Sequence, residues 1–97
     1  MRPAPPSRAR LMAWVDGRVQ GVGFRWWVRA HALGLGLDGS ATNLPDGRVE
    51  VVAEGTWQRC AELLALLRGP GTPGQVSGVT VQWSEPEDAG LSGFVAR

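Results

Sequence analysis

Two segments of the chain alternate apolar with polar residues, and this period of two predicts half-buried β-strands over residues 11–17 and 48–54. In the second segment the valines and the alanine form one face, and Arg48, Glu50 and Glu54 form the polar face. Weaker signals predict strands over 37–43, over 76–84, where Val79, Val81 and Trp83 would share a face, and over 94–97.

Two other segments repeat their apolar residues with the period of an α-helix. The first runs over residues 24–35, and the second begins after Thr56, a suitable N-cap, and ends at Gly69-Pro70. The predicted apolar stripe of the first helix is Phe24, Val28, Ala32 and Leu35, and that of the second is Trp57, Cys60, Leu63 or Leu64, and Leu67.

The element order is therefore β-α-β-β-α-β, with a short final strand. This order is typical of the α+β, ferredoxin-like class, in which an antiparallel sheet carries two helices on one face. The strands that precede the helices lie at the centre of such a sheet. We therefore expect the loop after the first strand to approach the end of the second.

Composition adds limits to this picture. The 97 residues suit one domain, which we place at 9–97 after a disordered, proline-containing tail at 1–8. The net charge of +1 gives no indication of a nucleic-acid partner. Cys60 is the only cysteine, and no apolar run is long enough for a signal peptide or a membrane span. We expect a cytoplasmic monomer without a membrane partner.

The strongest chemical signal is the segment Gly17-Arg18-Val19-Gln20-Gly21-Val22-Gly23-Phe24-Arg25. It follows a strand and opens a helix, so its backbone N–H groups and the positive helix end can converge on an oxyanion. Arg25 adds a planar set of charged donors. The segment Gly34-Leu35-Gly36-Leu37-Asp38-Gly39 matches a dinucleotide-binding pattern, but it follows a helix and enters a strand, so we interpret its glycines as structural.

A second group of residues completes a family signature. Asn43 follows the first motif, and Asp46-Gly47-Arg48-Val49-Glu50 and Gly55 come next, with Trp83-Ser84-Glu85-Pro86 and Gly93-Phe94 near the end. Over residues 11–97 the chain resembles the acylphosphatase family. The resemblance implies a ferredoxin-like fold and hydrolysis of the carboxyl–phosphate bond of acylphosphates, without a metal or other cofactor.

The resemblance also implies roles for individual residues. Arg25 and Asn43 take the catalytic positions, with Asn43 placing the attacking water. The backbone amides that would bind the substrate's phosphoryl group belong to Gln20, Gly21, Val22, Gly23, Phe24 and Arg25. Besides the acylphosphate, inorganic phosphate or sulfate is expected to bind there as a product-like ligand.

Other interpretations stay open at this stage. Asn43 alone also suits a turn residue before Leu44-Pro45-Asp46-Gly47. Two other function classes remain: an acylphosphatase-like module serving carbamoyl-phosphate chemistry, as in hydrogenase-maturation proteins, and a binding module for RNA or a small anion on the same fold. The strand over 48–54 has no aromatic residue and the net charge is near neutral, which disfavours RNA.

Several conspicuous side chains receive structural interpretations. His31 lies about 240° around the helix from Arg25, which argues against a role as general base. Arg29 suits a solvated helix charge, and Arg18 a surface charge that attracts substrate weakly. Trp26 and Trp27 suit packing residues.

Overall fold

A computed structural model describes residues 7–86 and 91–97 of the chain. Residues 1–6 of the predicted tail lie outside the described residues, and Arg8 already belongs to the first strand. The elements are β1 (Arg8–Arg18), α1 (Phe24–Gly34), β2 (Asp38–Asn43), β3 (Val49–Thr56), α2 (Trp57–Arg68), β4 (Gln75–Ser84) and β5 (Phe94–Ala96).

The strands form one sheet in the order β4-β1-β3-β2-β5. The pairs β1–β3, β1–β4 and β2–β3 are antiparallel, as the ferredoxin-like order predicts. The short strand β5 instead runs parallel to β2 and makes the sheet mixed. Because β1 and β2 are both antiparallel to β3, they run in the same direction, and the loop after β1 and the turn after β2 open at the same end of the sheet.

The core lies between one face of the sheet and both helices. Phe24, Val28 and Ala32 are buried along α1, which confirms the predicted stripe of that helix. The same cluster contains the alternating residues of β1 and β3 and the buried stripe of α2. The buried stripe of α2 is Cys60, Leu63, Leu64 and Leu67.

Two predicted core residues are instead exposed. Trp57 is 55% exposed and Trp83 is 36% exposed, and their rings stack with centroids 5.7 Å apart. Trp57 is the first residue of α2, directly after its cap, and there its ring packs on Trp83 of β4 instead of entering the core. Thr56 does cap the helix, since its hydroxyl accepts from the backbone N–H of Arg59 at 3.2 Å.

Glu54 corrects the predicted polar face of β3. Its strand alternation is as expected, but the side chain is fully buried rather than solvated. Arg10 on the adjacent strand β1 donates from Nη1 to Oε2 of Glu54 at 2.9 Å. The ion pair with Arg10 allows the Glu54 carboxylate to be buried away from water. The sequence of β3 alone does not indicate this partner.

Candidate active site

The loop between β1 and α1 turns sharply at two glycines. Gly21 has φ 75° and Gly23 has φ 80°, both in the left-handed region that favours glycine. A Cβ at either position would meet nothing within 4 Å, so the requirement for glycine is conformational rather than steric. Alternation of left-handed and ordinary residues is the geometry that turns successive N–H groups toward one point.

The N–H groups of this loop lack protein acceptors. In the described part of the chain, no atom accepts a hydrogen bond from the backbone N–H of residues 20–26, and the first donor of the helix is Trp27, to the carbonyl of Gly23 at 3.0 Å. Gly23 is the N-cap of α1 and has no side chain with which to cap the helix. Free N–H donors beside the positive end of a helix dipole are an arrangement that can bind an anion. We call residues 20–25 the cradle.

Arg25 is the second residue of α1 and is half-buried beside the cradle. Its guanidinium forms no hydrogen bond or ion pair with any described residue. An arginine held at a helix start without a carboxylate partner keeps its full charge and all its donors available to a ligand.

The side chain of Gln20 joins the cradle to the turn that follows β2. Its Nε2 donates to the carbonyl of Leu44 at 2.8 Å and to the carbonyl of Arg48 at 3.0 Å. These bonds confirm the expected approach of the first loop to the end of β2. The sequence predicts a role only for the backbone N–H of Gln20, because no pattern in it distinguishes the side chain.

The turn itself is closed by its own hydrogen bonds. Leu44 donates to the carbonyl of Arg48 at 2.8 Å, and Gly47 donates to the carbonyl of Leu44 at 3.1 Å. Asp46 accepts from the backbone N–H of Arg48 at 3.0 Å and from its Nε at 2.8 Å. The backbone hydrogen bond and the charge of Arg48 lower the pKa of Asp46. The two carbonyl groups that accept hydrogen bonds from Gln20 therefore belong to a turn that is closed by hydrogen bonds of its own.

Asn43 is the last residue of β2, immediately before this turn. Its backbone N–H donates to the carbonyl of Arg97 at 3.3 Å, and the N–H of Arg97 donates to the carbonyl of Ala41 at 2.7 Å. The Oδ1 atom of Asn43 is buried and has no hydrogen-bond partner among the described residues. A buried amide oxygen without a partner is costly, and a bound water is the usual remedy.

Strand β5 connects this asparagine to the helix that carries Arg25. Arg29, one turn after Arg25 on α1, donates from Nε to the carbonyl of Phe94 at 3.0 Å. Arg29 is therefore a structural tie rather than the solvated charge predicted from the sequence. The hydrogen bond from Arg29 holds β5 against α1. The backbone hydrogen bonds of Arg97 with Asn43 and Ala41 hold the same segment against β2.

The remaining candidates are engaged elsewhere. His31 packs its ring against Trp27 with centroids 4.5 Å apart. Burial raises the pKa of the Cys60 thiol to about 11, so the thiol is protonated and unreactive at neutral pH. Trp27 contacts the core as predicted, whereas Trp26 is 59% exposed.

In residues 7–86 and 91–97, no group of three or more His, Cys, Asp or Glu side chains is placed to hold a metal ion. No helix in the same residues is long and apolar enough to cross a membrane.

Comparison with known proteins gives consistent matches. The acylphosphatase family model matches residues 11–96. An acylphosphatase of Saccharopolyspora erythraea is 68% identical over 91 residues, covering 94% of this chain and 95% of that protein. The crystal structure of the acylphosphatase from Bacillus subtilis superposes with a TM-score of 0.82 at 33% identity, covering 92% of this chain and 98% of that one.

A larger protein shares the fold. Full-length HypF, in a phosphate- and nucleotide-bound form, has a TM-score of 0.85 at 22% identity, and the match covers 99% of this chain but 12% of that one. At this identity the likeness concerns the fold alone.

Proposed function

This chain belongs to the acylphosphatase family, and we propose that it hydrolyses acylphosphates to a carboxylate and inorganic phosphate through the cradle, Arg25 and Asn43. The observation that carries this proposal is the hydrogen bonding of Gln20. It fastens the unpaired donors of the cradle to the turn that directly follows Asn43. An anion-binding loop and a polar amide are thereby held at one edge of the sheet.

The cradle and Arg25 would bind the phosphoryl group. Phosphoryl transfer demands positioning and stabilisation of the charge on the three equatorial oxygens more than covalent chemistry from the protein. The N–H groups of residues 20–25 supply fixed dipoles, and the guanidinium of Arg25 supplies a full charge. These donors have no competing acceptor among the described residues, so binding substrate breaks no existing hydrogen bond there.

Asn43 would place the attacking water. The water oxygen attacks phosphorus, the bond from phosphorus to the acyl oxygen breaks, and its electron pair leaves with the carboxylate. An asparagine is too weak a base to ionise water, so we assign the water's proton to a phosphoryl oxygen of the substrate. Rotation of the terminal amide of Asn43, whose torsion is broad and roughly two-fold, would turn the unpartnered Oδ1 toward that water.

The mechanism has consequences for the metal requirement of the reaction and for the pH dependence of its rate. The leaving carboxylate is already a stable anion, so the reaction needs no strong general acid and no added metal. It also predicts little dependence of rate on enzyme groups near neutral pH. A bell-shaped profile with an enzyme pKa near 6–7 would contradict the assignment of the proton to the substrate.

The decisive experiment is timed hydrolysis of benzoyl phosphate by the wild-type protein and the Arg25→Ala variant, each with and without EDTA. We expect EDTA to have no effect and Arg25→Ala to lower kcat/KM by about 10³-fold or more, since it removes the main charge on the phosphoryl group. Arg59→Ala is the matched control, because Arg59 is exposed on α2 and pairs with Glu62. Activity that requires added metal, or that survives the loss of Arg25, would overturn the mechanism.

The experiment also separates hydrolysis from binding. A protein that binds inorganic phosphate through Arg25 but releases none from benzoyl phosphate would be an anion-binding module rather than an enzyme of this type. Sedimentation of the same samples tests the proposed monomeric state.

A further inference from the structure

A basic cavity of about 440 Å³ opens beside the cradle, on the side away from Asn43. It lies where the end of β1 meets the last turn of α2 and the beginning of β4. In the sheet, β4 borders β1 on one side, whereas β2, which carries Asn43, is reached through β3 on the other. The side chains that give the cavity its chemistry are Arg18, Arg68, Thr72, Gln75 and Ser77.

The charged side chains that line this cavity in the described part of the chain are all positive. Arg18 and Arg68 are both exposed, and neither forms a hydrogen bond or an ion pair with any described residue. Among residues 7–86 and 91–97, no aspartate or glutamate lines the cavity. Two guanidinium groups at one cavity, accompanied by hydroxyl and amide donors, repel each other until an anion joins them, and a carboxylate can accept two parallel hydrogen bonds from the planar fork of a guanidinium.

The wall of the basic cavity touches the cradle. A Cβ on Gly74, which lines the cavity, would collide with the carbonyl oxygen of Arg18 and would lie 3.0 Å from Cγ2 of Val22. Val22 belongs to the cradle, and Arg18 precedes Gln20 by two residues. A phosphoryl group in the cradle therefore has the basic cavity as its immediate neighbour.

The geometry of the reaction relates this cavity to the substrate. In phosphoryl transfer the attacking and leaving oxygens lie roughly in line on opposite sides of phosphorus. A water placed by Asn43, on the β2 side of the cradle, directs the leaving acyl group toward the β4 side. We propose that the basic cavity receives the acyl group, and that the enzyme prefers acylphosphates whose acyl group carries a second carboxylate. This inference rests on the proposed function.

A neighbouring cavity defines the competing outcome. It measures about 430 Å³, shares Gly69 and Pro70 with the basic cavity, and is lined by the apolar side chains of Trp27, Leu35 and Leu66. If the acyl group entered this cavity instead, uncharged acyl groups would be favoured.

Succinyl phosphate and butyryl phosphate form a matched pair of substrates, because they have the same chain length and differ by a terminal carboxylate in place of a methyl group. We expect the wild type to have a kcat/KM for succinyl phosphate at least about five times that for butyryl phosphate, as one charge-assisted hydrogen bond gives. The double variant Arg18→Gln/Arg68→Gln should bring this ratio close to one, mainly through KM. Each single variant should lower it in part.

The control is Arg59→Gln, which removes one arginine of α2 away from the cavity and should leave the ratio unchanged. A ratio near one in the wild type, a ratio in favour of butyryl phosphate, or a double variant that keeps the wild-type ratio would each overturn the carboxylate preference. A wild type that hydrolyses neither compound would overturn the proposed function itself. Hydrolysis of both with equal efficiency would overturn only the acyl-group assignment.

Discussion

Nε2 of Gln20 lies 2.8 Å from the carbonyl oxygen of Leu44, so a side chain of the cradle sets the distance between the anion-binding loop and the end of β2. Leu44 directly follows Asn43, and the second bond of the same amide group, to Arg48, holds the other arm of the turn. We therefore infer that Gln20 positions the two halves of the proposed site relative to each other without needing to touch the substrate.

Replacing Gln20 with leucine keeps its approximate size and removes both donated hydrogen bonds. We expect kcat to fall by about 10- to 100-fold, because small misplacements of a water relative to a phosphoryl group are costly. The affinity for inorganic phosphate should change less, since the backbone donors of the cradle remain. Steady-state kinetics and phosphate inhibition measure the two effects. Gln58→Leu, on the exposed start of α2, is the control, and equal losses in kcat and phosphate affinity would contradict the positioning role.

Replacing Asn43 with alanine should remove the group that places the water and leave the cradle intact. We expect kcat to fall by about 10²-fold or more and the inhibition constant of phosphate to stay within about threefold of the wild type. The same kinetic assays report both values. Thr42→Ala, one residue earlier on β2, is a neighbouring control. An Asn43→Ala variant with near-normal kcat would contradict the assignment.

Replacing Gly23 with alanine forces a residue with a side chain into left-handed backbone geometry, at a cost of about 1–2 kcal/mol. Because Gly23 orients the N–H groups at the start of α1, relief of this strain should disturb the cradle and weaken phosphate binding about tenfold. Isothermal titration with phosphate measures the loss. Gly34→Ala is the control at the other end of α1, where φ is not positive and a Cβ meets nothing within 4 Å. Unchanged phosphate affinity in Gly23→Ala would contradict this account.

The raised pKa of the Cys60 thiol predicts how the stability of the folded protein changes in alkaline solution. The ordinary pKa of its thiol is 9.0 and burial raises the pKa to about 11 in the folded protein, so the unfolded chain releases this proton first. Its contribution to stability should be complete below pH 9, decline as pH rises from about 9 to 11, and then level off. The chain has no lysine or tyrosine to titrate in the same range.

Urea unfolding at several pH values between 7 and 11 measures this decline. The Cys60→Ala variant should be less stable overall, but its stability should not depend on pH between 9 and 11. A parallel decline in both proteins would show that another group is responsible. The native thiol should also resist alkylation at pH 8 and react once the protein is unfolded.

The local parts of the site could be predicted from the sequence, whereas its connections could not. The cradle follows from glycines between a strand and a helix, and the turn after Asn43 follows from Pro45 and Gly47. Periodicity assigns a residue to a face, but it does not say which residue of a distant strand lies opposite. For this reason the pairing of Arg10 with Glu54 was missed.

The end of the chain shows the same limit. A three-residue strand has too little pattern to reveal its partner, so neither the parallel pairing of β5 with β2 nor the contact of Arg97 with Asn43 was predicted. Trp57 was misassigned for the opposite reason. The helical period extends its stripe to the first residue of α2, where the side chain stacks on the exposed Trp83 of β4 instead of entering the core.

The position of β5 has a consequence for the synthesis of this protein. Arg29 and Phe94 are 65 positions apart, and the carbonyl that accepts from Asn43 belongs to residue 97. A nascent chain has made its anion-binding loop long before these late residues leave the ribosome. The asparagine at the end of β2 therefore acquires its backbone partner only when residue 97 has emerged, long after the loop between β1 and α1 has been made.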